Sequence, residues 1–206
     1  MAESEIYQEL KRRIILLEFS PGTVLREKEM MQEFGVSRTP VREALMRLEM
    51  AGLVRIIPNV GSFVSDVSFQ QLKDVFEVRS FLVLQVGHLA AARITDEEVG
   101  EIRKRVSRMK AAPDLKSVMR IDTEIHDILN RATKNQVLQK ILEELHDQAV
   151  RIWAFSTAEN KYWDQVPQEF EEILAALKKR DGEATAALLE THTKRFVEHI
   201  RAQLTV

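Results

Sequence analysis

Asp122 and His126 stand four residues apart in a segment whose other inward positions, Val118, Ile125 and Leu129, are apolar. One helical turn separates them, so both leave the same helix face and offer an oxygen and a nitrogen to one point, a spacing that suits a divalent ion. A second apolar stripe, Leu188, Leu189, Phe196 and Ile200, carries His192 in the same way, and a third, Val75, Leu82 and Val86, carries Arg79. A buried carboxylate is costly unless it is paired, hydrogen-bonded or metal-bound. Arg79, Asp122, His126 and His192 therefore read as polar groups converging in an otherwise apolar cavity, the usual composition of a small-molecule or metal site. Asp122, His126 and His192 form a donor set for zinc, nickel or manganese. Arg79 favours a carboxylate ligand, because a buried guanidinium offers it a bidentate partner. Taken singly, each has a plainer reading: an inward histidine is more often a hydrogen-bonded core residue, and Arg79 with Asp122 is a possible ion pair. His88, His146 and His199 are left as surface or core histidines, and Trp153, Tyr162 and Trp163 as bundle packing or domain contacts.

A second cluster of chemistry lies near the N-terminus. Residues 37–48 begin with Ser37 as an N-cap and Pro40 in the first turn, and Val41, Ala44, Leu45 and Leu48 repeat at helical spacing as the buried side. Arg38, Arg42 and, to one side, Arg47 face out, a helix suited to a polyanion. Upstream, residues 25–34 read as a short helix, and Gly35 with Val36 gives the tight turn between the two. This is a helix-turn-helix, in which the second helix enters the major groove. Downstream, Gly52 ends the helix, residues 53–57 alternate as a strand, Pro58 to Gly61 turn, and residues 62–65 return, so the motif gains a two-stranded wing. Lys28, Ser37, Arg38, Thr39, Pro40, Arg42 and Arg47, with Asn59 and Gly61 at the wing tip, are the candidate DNA-binding residues.

The chain's overall charge does not announce a nucleic-acid binder. The net charge is −2, and residues 1–66 hold nine lysines and arginines against ten acids. Local geometry has to supply the attraction, with Lys28, Arg38, Arg42, Arg47 and Arg55 on one side and Glu5, Glu9, Glu18 and Glu33 elsewhere. The absence of cysteine excludes a disulfide framework or thiolate metal site and fits a reducing cytoplasm. No signal peptide is read at the start, and no apolar run is read as a membrane span, so a cytoplasmic protein is expected.

Beyond Asp66 the strand signal fades and apolar residues repeat at three and four. The first helix carries Leu72, Val75, Phe76, Leu82, Val83, Val86 and Leu89; the second opens on a capping box at Thr95 to Glu98. Further helices are read over 115–132, 135–155, 166–179 and 181–204. The expected fold is mainly α: a winged helix-turn-helix domain over 1–66, joined through the short linker Ser65 to Ser68 to an antiparallel bundle of about six helices over 67–206.

The run Pro21-Gly22 to Leu25, Gly35 to Leu45, Leu48-Glu49 to Gly52-Leu53-Val54, and Pro58 to Gly61 resembles the DNA-binding domain of GntR-family transcription regulators. Phe76 to Arg79, Leu89-Ala90-Ala91, Asp122 to His126, Asn135 to Leu138, and Ile173-Leu174 to Leu177 with Asp181 resemble the all-helical effector domain of its FadR-type subgroup. Many members of that subgroup hold a divalent metal through an Asp-x-x-x-His pair and two further histidines, and Asp122, His126 and His192 match three of these ligands. The fourth position is Phe170, which cannot coordinate a metal, so the resemblance implies weak or absent metal.

Together these readings give an expectation: a homodimeric regulator, a repressor rather than an activator, that binds a pseudo-palindromic duplex and responds to a small organic acid in the bundle. A second reading, a metal-dependent hydrolase or lyase built on Asp122, His126 and His192, leaves the winged helix unexplained. A third is a constitutive DNA-binding scaffold with an inert bundle.

Overall fold

Ile6, Leu10 and Ile14 fall four residues apart, and the helix they define, α1 (Glu3–Ile15), buries all three. A computed structural model describes residues 3–66, 69–155 and 161–204. By packing, the chain divides into two compact units, Met1–Leu72 with His146–Thr157, and Lys73–Leu145 with Ala158–Val206. The division read from sequence at Asp66 and Val67 marks where the strand pattern ends; the packing boundary falls a little later, and the second half of the 135–155 helix groups with the first unit. Val67 and Ser68 of the expected linker lie outside the described residues.

In the first unit α1 is followed by β1 (Val24–Leu25), α2 (Glu27–Phe34), α3 (Arg38–Met50), β2 (Val54–Ile57) and β3 (Gly61–Val64). The buried face of α3 is the one its spacing dictates: Val41, Ala44, Leu45 and Leu48 pack with Ile6, Leu10 and Ile14 of α1 and with Met30, Leu53, Val54 and Val64. Gly35 ends α2 in the left-handed region at φ 64°, where a side chain would be strained, and its N–H returns to the Met31 carbonyl. That reversal sets the angle between α2 and α3.

The wing sheet has three strands, not two. β1 pairs with β3 (Val24 with Phe63, Leu25 with Ser62) on the edge opposite β2, giving the antiparallel order β1-β3-β2. Two residues are too few to show an alternating pattern, which is why the sequence does not reveal this strand. Its register is held by hydrogen bonds from Gly22 N to Val64 O and from Val64 N to Thr23 O, both 2.9 Å.

The described chain after the wing is helical: α4 (Phe69–Arg93), α5 (Asp96–Lys110), α6 (Leu115–Ala132), α7 (Gln136–Phe155), a 3-10 turn (Lys161–Asp164), α8 (Val166–Lys178) and α9 (Gly182–Leu204). The capping box forms as read, with Thr95 Oγ1 accepting from Glu98 N and the Glu98 carboxylate accepting from Thr95 N. Asp114 caps α6 by accepting from Ser117 N at 2.8 Å. One expectation needs correction: residues Lys73–Arg93 of α4 are long and apolar enough, by length and composition, to cross a bilayer. Their apolar side belongs to the bundle, where Val75, Phe76, Val83, Val86, Ala90 and Ala91 are buried. Trp163 is buried with its ring 6.3 Å from Phe196, while the side chains of Leu72, Trp153, Tyr162 and Ile200 lie outside the described set.

Candidate nucleic-acid interface and buried donor cluster

Seen down its axis, α3 turns Arg38 and Arg42 to one flank of the buried stripe and Arg47 to the other. Arg38 and Arg42 are well exposed, at 67% and 61%, and both reach Glu27 at the start of α2: Arg38 Nε pairs with Oε2, and Arg42 Nε lies 3.7 Å from Oε1. An acid therefore stands among the arginines, where sequence reading placed none. Glu9, Glu18 and Glu33 do lie elsewhere, engaged with Arg12 and Arg13 of α1.

Arg47 is occupied differently. Its Nη1 lies 2.8 Å from Glu3 Oε1 and its guanidinium stacks 4.1 Å from the Tyr7 ring centre. This third arginine ties α3 to α1 and is not grouped with Arg38 and Arg42. Ser37 sits at the N-cap position with extended backbone, yet its hydroxyl accepts no bond from the first turn and remains exposed. Lys28 and Thr39 are exposed and Pro40 is half-buried. At the wing tip, Asn59 takes a left-handed φ of 61° and Gly61 a φ of 150°, shaping a turn closed by Val60 N to Ile57 O at 3.0 Å. Glu49 braces the wing's base by accepting from Ile56 N at 2.8 Å.

In the bundle, α6 and α9 bring Asp122, His126 and His192 together, with their donor atoms all within 4.8 Å of one another. His126 Nε2 lies 3.3 Å from His192 Nε2 and 3.7 Å from Asp122 Oδ2, and His192 Nε2 lies 3.6 Å from Asp122 Oδ1. Donors on a tetrahedral ion with bonds of about 2.0–2.1 Å sit roughly 3.3 Å apart, so this triangle is close to an ion's dimensions. Asp122 Oδ1 is buried and accepts no hydrogen bond among the described residues. An orphaned carboxylate oxygen facing two imidazole nitrogens fits a cation.

Arg79 of α4 is buried, and its charge interacts with that of Asp122. Burial pushes the Asp122 carboxyl up to about 6 against the pull of His192 and Arg79, while burial lowers the Arg79 guanidinium to about 10 with Asp122 opposing. Each charge favours the other, and Arg79 stays cationic at neutral pH. Phe170 of α8 is fully buried, its ring centre 4.9 Å from His192 and 5.8 Å from His126. Carbon closes the side from which a fourth ligand would come.

Sequence reading missed Glu169. Its Oε2 lies 2.7 Å from His192 Nδ1, and its Oε1 accepts from Arg195 Nη1 at 2.6 Å. Burial works against its ionisation, but the hydrogen bonds from His192 and Arg195 prevail and hold its carboxyl below the usual range. The signal was present: Val166, Glu169, Phe170, Ile173, Leu174 and Leu177 form the buried stripe of α8, so Glu169 is an acid in an apolar series just as Asp122 is.

Comparison with known proteins agrees with both halves. Residues 2–64 match the model of bacterial regulatory proteins of the gntR family, and residues 74–195 match the FCD domain. The chain belongs to the GntR family. It is 29% identical over 200 residues to the HTH-type transcriptional repressor RspR of Escherichia coli, covering 96% of this chain and 88% of that protein. It is 30% identical over 204 residues to an HTH-type transcriptional regulator in an unstable DNA locus of Streptomyces ambofaciens, covering 96% and 86%. The structure of E. coli McbR/YncC superposes with a TM-score of 0.87 at 21% identity, covering 98% of both chains, so the fold is shared. This GntR protein is a transcription regulator with an FCD domain; the relatives it matches along nearly its whole length are transcription regulators, and the hydrolase or lyase reading finds no support in them.

Proposed function

We propose that this regulator is a cytoplasmic homodimeric repressor whose two α3 helices read a pseudo-palindromic operator and whose grip is altered by a small organic acid bound in the bundle. Arg38 and Arg42, in the first turns of α3, face base edges and phosphates, with Lys28, Ser37 and Thr39 beside them; Asn59 and Gly61 of the wing approach the sugar-phosphate backbone. The effector enters the cavity of Arg79, Asp122, His126 and His192. Asp122, His126 and His192 would hold a divalent metal, zinc, nickel or manganese, which supplies a Lewis-acidic site for the ligand's oxygen.

The observation that carries the effector reading is the buried convergence of one cation, one orphaned carboxylate oxygen and two imidazoles from three helices. Charged groups are rarely so buried without a purpose, and together they match an anionic ligand with or without an ion. Arg79 is the anchor for the ligand's carboxylate. The test is operator release: wild type and Arg79→Ala are bound to a labelled operator and titrated with a panel of small mono-, di- and hydroxycarboxylates. The reading expects release or tightening of the wild type by a member of the panel, and an Arg79→Ala protein that binds DNA normally but no longer responds. Equal responses would move the effector site elsewhere.

A further inference from the structure

We infer that Glu169 is a positioning residue for the Asp122, His126 and His192 cluster: by accepting a hydrogen bond from the Nδ1–H of His192 it turns the bare Nε2 of that ring toward Asp122 and His126. This rests on the metal reading above and gives α8 a part in it although Phe170 supplies no donor.

A neutral imidazole carries one N–H, and two carboxylates compete for it here. Glu169 Oε2 lies 2.7 Å from Nδ1, a full hydrogen bond, whereas Asp122 Oδ1 lies 3.6 Å from Nε2, beyond one. The proton therefore stays on the Glu169 side. An ionised carboxylate can only accept, so Nδ1 must donate, and Nε2 is left with its lone pair directed at the interior. The same choice explains why Asp122 Oδ1 is left without a hydrogen bond. In the metal-free protein His126 can donate to that lone pair across 3.3 Å; with a cation present both nitrogens turn to it. Carboxylates that accept from the remote nitrogen of a metal-binding histidine fix its tautomer and raise its basicity.

Glu169 is itself held. Arg195 donates to the other carboxylate oxygen at 2.6 Å, and its side chain is half exposed while that of Glu169 is 9% exposed. The chain Arg195, Glu169, His192 thus runs from the surface to the donor cluster, each group fixed by the one outside it. α8 contributes orientation where the family pattern has a fourth donor.

The experiment uses the full chain, untagged and stripped of metal, with zinc alone as the probe. Zinc affinity is read by competition with a chromophoric chelator, and the His192 tautomer of the metal-free protein by long-range proton–nitrogen NMR of the imidazoles. Wild type should show its ring proton on Nδ1, and Glu169→Gln, whose amide can donate as well as accept, should lose that preference and bind zinc about 10- to 100-fold more weakly. Arg195→Gln should keep the tautomer and lose less affinity. A merely structural role would alter melting without altering the tautomer. Should Glu169→Gln fail to fold, Arg195→Gln decides, and zinc affinity equal to wild type in that variant overturns the inference. Wild-type zinc affinity and an unchanged tautomer in Glu169→Gln overturn it too, with the metal reading left standing. A wild type that takes up no zinc overturns the metal reading, and the inference with it.

Discussion

His126 and His192 approach through Nε2 atoms 3.3 Å apart across 66 residues of chain. The contact arises because α6 and α9 both interrupt an apolar face with a histidine, and Asp122, one turn before His126, completes a triangle of donors. With Phe170 standing beside them, three protein donors and not four are available among the described residues.

Three donors should hold metal weakly. Untagged protein is expected to carry partial metal by elemental analysis and to lose it to a mild chelator, with a modest fall in melting temperature set by mass action. Phe170→His places a nitrogen beside the two imidazoles and should raise zinc affinity while lowering the stability of the metal-free protein, since a fully buried ring becomes polar. Tight stoichiometric metal in the wild type would show that another group fills the gap. No metal even in Phe170→His would assign the cluster to the organic ligand alone.

Arg47 separates stability from DNA reading. Its contacts are Glu3 and the Tyr7 ring, so Arg47→Ala should cost about 1 kcal/mol of stability, the scale of a cation–π contact with a part-exposed ion pair. Operator discrimination should change little. A variant that melts normally but has lost discrimination would return Arg47 to the reading surface.

Gly87 sets the separation of α4 and α9. A Cβ built there would stand 2.3 Å from Ala186 Cα, so Gly87→Ala must push backbone away from backbone. The expected loss is about 1–3 kcal/mol or more, the range of overpacked cores, seen as a lower denaturation midpoint. Gly100→Ala, with open space around it, is the control and should stabilise α5 slightly.

Glu98 gives a pH dependence of known sign. Burial opposes its ionisation, but hydrogen bonds from Lys134 and from Thr95 hold its carboxyl below the usual 4.5. A folded-state pKa below the unfolded one means that the contribution is present above the unfolded value and lost as pH falls through the folded one. Glu98→Ala should therefore be less stable than wild type at neutral pH by about 1 kcal/mol, the scale of a capping interaction. As pH falls below 4.5 and on through the lower folded-state value, the difference in stability should disappear. A difference that persists into acid would show that the carboxylate's charge is not what matters.

Much of this was legible in the chain. The buried sides of α3, α6 and α9 follow from residue spacing alone: Val41, Ala44, Leu45 and Leu48 are all buried, and so are Ile125, His126, Leu129, Leu189 and His192. Glu169 was equally readable, an acid at a core position of α8, but its partner His192 lies on another helix and only the fold brings the two together. The helix α1 was equally readable in the spacing of Ile6, Leu10 and Ile14, and was not read. Other features need the third dimension. The pairing of Glu27 with Arg38 and Arg42 depends on the angle set at Gly35, β1 is two residues long, and the destination of Arg47 depends on where α1 lies. Spacing reports which face a residue occupies; it does not report which neighbour meets that face.

The central claim is that this protein recognises a DNA sequence through the exposed arginines of α3. It is tested most directly by selecting bound duplexes from a random library with the full-length protein, then measuring wild type, Arg38→Ala and Arg42→Ala against the selected duplex and a scrambled one at fixed salt. The account predicts an enriched pseudo-palindrome bound in preference to the scrambled duplex, and a loss of roughly 1–3 kcal/mol for the selected duplex when either arginine is removed, with the fold intact. Normal binding of the selected duplex by both variants, or no enriched sequence at all, would contradict it.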